Sequence, residues 1–231
     1  CSARSRRALE MSRGYSRLGD LDRDAHRQTT EGVCAMSIVT LVSGGLDSTL
    51  VAVLAREEGL EQYPLFVDYG QRAKSKELSA CRAVLSRLGL PEPKVAELSG
   101  FGSLIRSGLT DPALRVLEDA FTPGRNLLFL LLASAYAVQR GADAVSIGLL
   151  NEDVSLFPDQ TNAFLVQAEV MLSMSMGRKI RVIAPLAEFH KIDVVALAQE
   201  KGIVGTYSCH LGNDEACGAC IACNEFKFEE A

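Results

Sequence analysis

The sequence predicts an α/β protein built on a doubly wound, mostly parallel sheet, with a zinc knuckle of four cysteines at its C-terminal end. Three observations predict it. From Ser37 onward, short β-branched runs alternate with amphipathic helical stretches, the order that builds a parallel sheet covered on both faces. The first run, Ile38 to Val42, closes on Ser43-Gly44-Gly45-Leu46-Asp47-Ser48, a glycine turn that leads into a helix. Cys209, Cys217, Cys220 and Cys223 cluster late in the chain, the last three at C-x-x-C spacing.

Residues 1–35 scatter Arg4, Arg6, Arg7, Arg13, Arg17, Arg23 and Arg27 among Ser, Gly and acids, with few large apolar side chains. That composition reads as a disordered tail or an upstream extension, with Met36 just before the first strand. An organellar transit peptide is the sharper alternative, and Glu10, Asp20, Asp22, Asp24 and Glu31 weigh against it, because such peptides are poor in acids. An α/β domain is expected over 36–204 and a zinc-binding segment over 205–231.

Ile38 to Val42 has the look of a strand buried on both faces. Asp47 and Ser48 are expected to cap the helix through Thr49, Leu50, Val53 and Leu54. Pro64 to Val67 reads as the second strand, ending at Asp68-Tyr69-Gly70-Gln71. Gln71 to Leu88 follows as a helix with Leu78, Cys81, Val84, Leu85 and Leu88 on one face. Val95 to Leu98 is a weak third strand, Phe101 to Ile105 a helical turn, and Asp111 to Phe121 an irregular stretch over the substrate entrance. Thr122-Pro123-Gly124-Arg125-Asn126 opens the apolar helix Leu127 to Gln139. Asp143 to Gly148 is a strand, 149–160 a loop, Thr161 to Met176 a helix, Ile180 to Ala184 a strand and His190 to Glu200 a helix. Met171, Met174 and Met176 recur at helical spacing and are expected in the core, with substrate contact as the alternative.

A strand, a glycine turn and a helix N-terminus make an anion cradle, because free backbone N–H groups and the helix dipole both favour negative charge. The turn is neither G-x-x-x-x-G-K-[ST] nor G-x-G-x-x-G. The string S-G-G-x-D-S looks like the pyrophosphate loop of ATP-cleaving adenylating enzymes. Ligands on parallel sheets sit beyond the carboxyl ends of the strands, where this loop, Asp68, Gly148 and Pro185 all fall. Four clustered thiolates make a closed, structural zinc site with no position left for water. His210 is a neighbour or an alternative ligand, and an iron–sulfur cluster is the weaker alternative to zinc, which the spacing does not exclude. A net charge of −5 argues against a broad nucleic-acid-binding face. No apolar run approaches the ~20 residues of a membrane span, and a cytoplasmic protein is expected.

Taken together, these motifs resemble the 7-cyano-7-deazaguanine synthases, nitrile-forming enzymes of queuosine precursor synthesis within the pyrophosphate-loop ATP pyrophosphatase superfamily. The resemblance covers about residues 37–225. It rests on the Ser43–Ser48 loop, Asp68-Tyr69-Gly70-Gln71-Arg72, and Pro123-Gly124-Arg125-Asn126-Leu127. It continues through Asp153-x-Ser155, Pro158-Asp159, Pro185-Leu186, Lys191 with Asp193, and the four cysteines. It implies an adenine nucleotide α-hydrolase-like fold that uses ATP, Mg2+ and Zn2+. Ser43, Gly44, Gly45, Leu46, Asp47, Ser48, Asp68 and Gly148 would hold ATP, and Asp47, Lys191 and Arg125 would serve catalysis. Tyr69, Gln71, Arg125, Asn126, Asp153 and Asp159 would meet the small-molecule substrate. A 7-carboxylate on deazaguanine would attack the ATP α-phosphate, and ammonia would form the amide. A second activation would then give the nitrile. A homodimer is expected, without membrane or nucleic-acid partners.

The chain departs from that family in one loop and at its end. Where the family reads roughly S-G-Y-P-D-C-R, this sequence has Ser155-Leu156-Phe157-Pro158-Asp159-Gln160-Thr161. The arginine expected shortly after the last cysteine is replaced by Asn224-Glu225-Phe226. These changes bear on the acceptor pocket and leave the loop and cysteines intact. A relative that transfers the activated carboxylate to another amine, perhaps on a protein, is therefore a second reading. A tRNA-modifying adenylating enzyme is a third, although the folded body outside the knuckle holds no cysteine but Cys81, on an apolar helix face. A zinc-stabilised nucleotide-binding module is a fourth, non-enzymatic reading.

Overall fold

Five parallel strands lie in the order β3-β2-β1-β4-β5 in the computed structural model, which describes residues 36–227. The expected tail at 1–35 lies outside the described residues. The strands are β1 (Ser37–Leu41), β2 (Glu61–Asp68), β3 (Lys94–Glu97), β4 (Ala144–Ser146) and β5 (Arg181–Ile183). The principal helices are α1 (Leu46–Glu57), α2 (Lys74–Arg87), α3 (Ser99–Leu104), α4 (Arg125–Arg140), α5 (Asn162–Met176), α6 (Lys191–Glu200) and the single turn α7 (Ile221–Asn224).

Side chains alternate across the sheet with the strand period of two. Ile38 and Phe66 pack with Leu50, Val53, Leu85 and Val194 under α1, α2 and α6. Val39, Leu41, Leu65, Val67 and Val145 pack with Leu130, Ala133 and Leu172 under α4 and α5. Both faces are thus buried, as the unbroken apolar strands imply. Chain order reverses between β1 and β4, and the crevice above that switch is where ligands of such sheets bind. Among the described residues no helix is long and apolar enough to cross a membrane.

Several boundaries moved for physical reasons. β2 begins at Glu61, three residues before the expected Pro64. Proline interrupts a central strand because it donates no ladder hydrogen bond, but β3 pairs with β2 only from Leu65 onward, so no β3 partner is lost at Pro64. Thr161 is the cap of α5, its hydroxyl accepting from the Phe164 amide, so the helix starts one residue late. The expectation that the three methionines of α5 lie in the core is corrected for two of them. The buried stripe of α5 is Leu165, Ala168 and Leu172, and this turns Met171 and Met174 outward at 63% and 77% exposure. Met176 alone of the three packs against the core.

Candidate functional site

The glycine turn holds its shape through its two serines. The Ser43 amide donates to Ser48 Oγ at 3.0 Å, the two hydroxyls lie 3.0 Å apart, and Thr49 Oγ1 donates to the Gly45 carbonyl at 2.8 Å. Gly45, not Asp47 or Ser48, is the cap residue of α1, and it offers no side chain, which corrects the expected capping. The first-turn amides of Leu46, Asp47 and Ser48 have no preceding helical carbonyl to bond. Their dipole faces the turn.

Gly44 sits at φ +84°, and a Cβ there would lie 2.8 Å from the Cys81 amide nitrogen and closer still to the Glu77 carbonyl oxygen. The turn is therefore clamped onto α2 by backbone. Gly44→Ala is expected to cost about 3 kcal/mol, from left-handed strain and the clash together. A denaturant midpoint equal to that of the wild type would contradict this.

A cavity of about 280 Å³ opens above the β1/β4 switch. Of the residues anticipated from sequence, Ser43, Gly45, Asp47, Ser48, Tyr69, Gln71, Arg125, Asn126, Gly148 and Lys191 line it. Gly44 and Leu46 are buried behind the turn. Asp68 is buried, accepts from the Gly70 amide at 3.0 Å and pairs with Lys74, so it shapes the β2 end from beneath. Asp159 braces the start of α4, its carbonyl accepting from Asn126 Nδ2 at 2.9 Å. Asp153 is exposed in the 149–160 loop and does not line the cavity. A second cavity of about 620 Å³ shares Asp47, Gly148, Lys191 and Glu225 with the first, giving room for two reactants across one set of polar groups.

Lys191 is the hub of those groups. Its Nζ donates to both Asp47 oxygens at 2.9 and 2.8 Å, lies 2.9 Å from Glu225 Oε2, and sits 4.8 Å from the centre of the Phe226 ring. Burial presses the ammonium towards a lower pKa. The two carboxylates more than reverse this and hold the pKa above the usual lysine value. Glu225 was not anticipated from sequence, because its contact depends on the knuckle folding back over the sheet. The Tyr207 amide, at the entrance to the knuckle, donates to the Gly44 carbonyl at 2.9 Å, so the two signals form one structure.

The departures in the loop also have local partners. Gln160 Oε1 accepts from the amides of Leu156 and Phe157 at 3.1 and 3.0 Å and closes the turn on itself. Phe157 packs on Phe121 with ring centres 5.1 Å apart. Leu109 and Ala120, flanking or within the irregular stretch expected over the entrance, form part of the cavity wall.

Glu77, also not anticipated from sequence, reaches the cavity from the first turns of α2. Its Oε2 accepts from Gln71 Nε2 at 3.0 Å. Burial pushes its carboxyl up to about 7, against opposing contributions from Gln71 and Arg125. A carboxyl with a higher pKa in the folded than in the unfolded state costs stability once pH passes the unfolded value. The penalty grows from about pH 4.5 to about pH 7 and persists above. Glu77→Gln is thus expected to be more stable than the wild type by about 2 kcal/mol at pH 8, and equal to it at pH 4. Parallel pH dependence of the two melting temperatures would contradict this.

The four knuckle sulfurs lie within 4.8 Å of one another, an arrangement that could hold a metal. The Cys217 amide donates to Cys209 Sγ at 3.4 Å, and the amides of Ala219 and Cys220 donate to Cys217 Sγ at 3.5 and 3.3 Å. Such amides stabilise thiolates. Burial raises the Cys217 thiol, yet these donors bring it down to about 6. His210 is outside the sulfur cluster and lines the cavity. Its Nδ1 is buried with no partner among the described residues. Cys81 is buried, and burial pushes its thiol up to about 12, so it is an inert core residue.

The family model described as "Queuosine biosynthesis protein QueC" matches residues 37–228. A 7-cyano-7-deazaguanine synthase of Azoarcus sp. (strain BH72) is 39% identical over 204 residues, covering 80% of this chain and 88% of its relative. One of Campylobacter curvus is 34% identical over 197 residues, with 80% and 88% covered. Among solved structures, the NMN synthetase of Francisella tularensis shares the fold at a TM-score of 0.51 and 15% identity, over 91% of this chain and 79% of that one. The match spans nearly all of the described residues, from β1 through the knuckle, and the chain belongs to the QueC family of queuosine biosynthesis proteins.

Proposed function

We propose that this chain is an ATP-dependent ligase that converts 7-carboxy-7-deazaguanine and ammonia to 7-cyano-7-deazaguanine. The observation that carries the reading is the convergence of the serine–glycine turn, Gly148 and the Lys191–Asp47 pair on one cavity at the sheet's switch point. The amides of the turn and of the first turn of α1 would bind the departing diphosphate, and Lys191 would offset charge as it develops. Asp47 would help hold Mg2+, which would supply positive charge to offset that of the phosphates. Arg125, 5.9 Å from the Tyr69 ring centre, would orient the substrate carboxylate.

The substrate carboxylate oxygen attacks the α-phosphorus and pyrophosphate leaves. Ammonia then displaces AMP and loses a proton, giving the amide. The amide oxygen attacks the α-phosphorus of a second ATP and its pyrophosphate leaves; loss of AMP and two protons then gives the nitrile. The four-sulfur cluster fits zinc, since its thiolates are close, amide-supported and sufficient in number to complete a tetrahedron. That metal would fix the segment that carries Tyr207 and Glu225 to the site.

Incubation with ATP, Mg2+, ammonium and 7-carboxy-7-deazaguanine tests the reading. AMP and a product with the nitrile mass are expected, and ADP in place of AMP would overturn it. A second reading, transfer to an amine on a protein, is favoured by the apolar rim of the larger cavity, where Leu156 and Ile192 are 62% and 58% exposed. It predicts a protein-linked deazaguanine amide in the same mass spectra.

A further inference from the structure

We infer that Glu77 is the specificity-determining residue of the base subsite, where its carboxylate accepts the N1–H and 2-amino hydrogens of a guanine-type ring. The identity of the ligand rests on the reaction proposed above. The subsite rests on four features of the cavity.

First, Glu77 is a carboxylate at the cavity wall with one oxygen already fixed. Gln71 Nε2 holds Oε2, while Oε1 has no protein partner among the described residues. Gln71 is itself pinned, its Oε1 accepting from the Tyr69 amide at 3.0 Å and its Nε2 also donating to the Val67 carbonyl at 3.2 Å. The carboxylate therefore has a defined orientation and unused lone pairs. Second, the neighbouring walls are aromatic. Tyr69 and Phe129 pack with ring centres 5.3 Å apart and line the same cavity as Phe157. A planar heterocycle is the ligand that such walls stack. Third, the counter-charge lies at the same cavity. The Arg125 guanidinium is 6.0 Å from the Phe129 ring centre, placed to donate to a ring carbonyl or a ring carboxylate. Fourth, the Glu77 carboxyl is held where loss of its proton is easily driven by a ligand, since burial has raised it to about 7.

A guanine-type edge presents two adjacent donors, N1–H and the 2-amino group, beside one acceptor, the ring carbonyl. A carboxylate and a guanidinium satisfy that set. An adenine edge presents an acceptor at N1 and would set it against the carboxylate. Glu77 thus selects the deazaguanine and turns away the adenine of the co-substrate, which the larger cavity has room to hold. A purely structural role, holding Gln71, would be met equally well by glutamine, which can also accept from Nε2.

The test is calorimetric titration of wild type, Glu77→Gln and Glu77→Asp, without ATP, with 7-carboxy-7-deazaguanine and with its analogue lacking the 2-amino group. The wild type should prefer the 2-amino ligand by about 10-fold or more. Glu77→Gln should bind that ligand about 10- to 100-fold more weakly and lose the preference. Glu77→Asp should keep part of it. The inference is overturned if the wild type does not discriminate, if Glu77→Gln binds as the wild type does, or if it loses both ligands by the same factor. A wild type that discriminates as stated yet releases no AMP with ATP present would sink the proposed reaction and leave the subsite standing.

Discussion

Lys191→Met should lower AMP formation by about 1,000-fold while the fold and the knuckle's metal content persist. Its ammonium is bonded to both Asp47 oxygens, at 2.9 and 2.8 Å, and to Glu225 at 2.9 Å. Methionine preserves the length of the side chain and removes the charge. Two carboxylates then face each other across the space where the proposed reaction would place a triphosphate, and their repulsion would add to the lost stabilisation of the departing pyrophosphate. The helix loses little, because Lys191 is its first residue and Val194 and Ala198 keep their burial. Asp47→Ala should also abolish measurable AMP release, since the ammonium would swing wholly to Glu225. Circular dichroism and metal analysis would show both variants to be folded. AMP formation within 10-fold of wild type in Lys191→Met would contradict the role given to the pair.

Cys220→Ser should empty the knuckle of metal and lower the melting temperature by about 10 °C. The knuckle has almost no core of its own. Among the described residues its buried ones are Cys209, Cys220 and Ala222, with partly buried neighbours such as Val116, Tyr207 and Leu211. Cross-linking by metal is what can fix a segment of that size. Loss should spread to the site, because the same segment delivers the Tyr207 amide to the Gly44 carbonyl and Glu225 to Lys191. AMP formation should therefore fall with metal content across a chelator titration. Normal metal stoichiometry in Cys220→Ser would refute the ligand set.

The residues of this site divide by how far their roles reach along the chain. The glycine turn was legible because strand, turn and helix start are consecutive, and the physics of free amides is local. The cysteine cluster was legible for the same reason. Asp47 reads locally as a cap and only through the family resemblance as a site residue, because its carboxylate is committed to a lysine 144 residues away. Glu225 and Glu77 carried no local signal: one acts through a folded-back knuckle, and the other through its height on α2 above the sheet. The methionines of α5 show the opposite error. Their spacing suits a buried stripe, yet Leu165, Ala168 and Leu172 offer a better one on the same helix and take the core face. The expected second strand began too late, at Pro64, because the absence of a β3 partner there could not be seen from the sequence.

The central claim is that the turn at Ser43–Ser48 grips pyrophosphate while a carboxylate captures the adenylyl group. Oxygen tracing tests it most directly. With substrate carrying 18O in both carboxylate positions, each turnover to nitrile should deliver one labelled oxygen to each of the two AMP molecules formed and none to pyrophosphate. Label in inorganic phosphate, or AMP without label, would contradict the account.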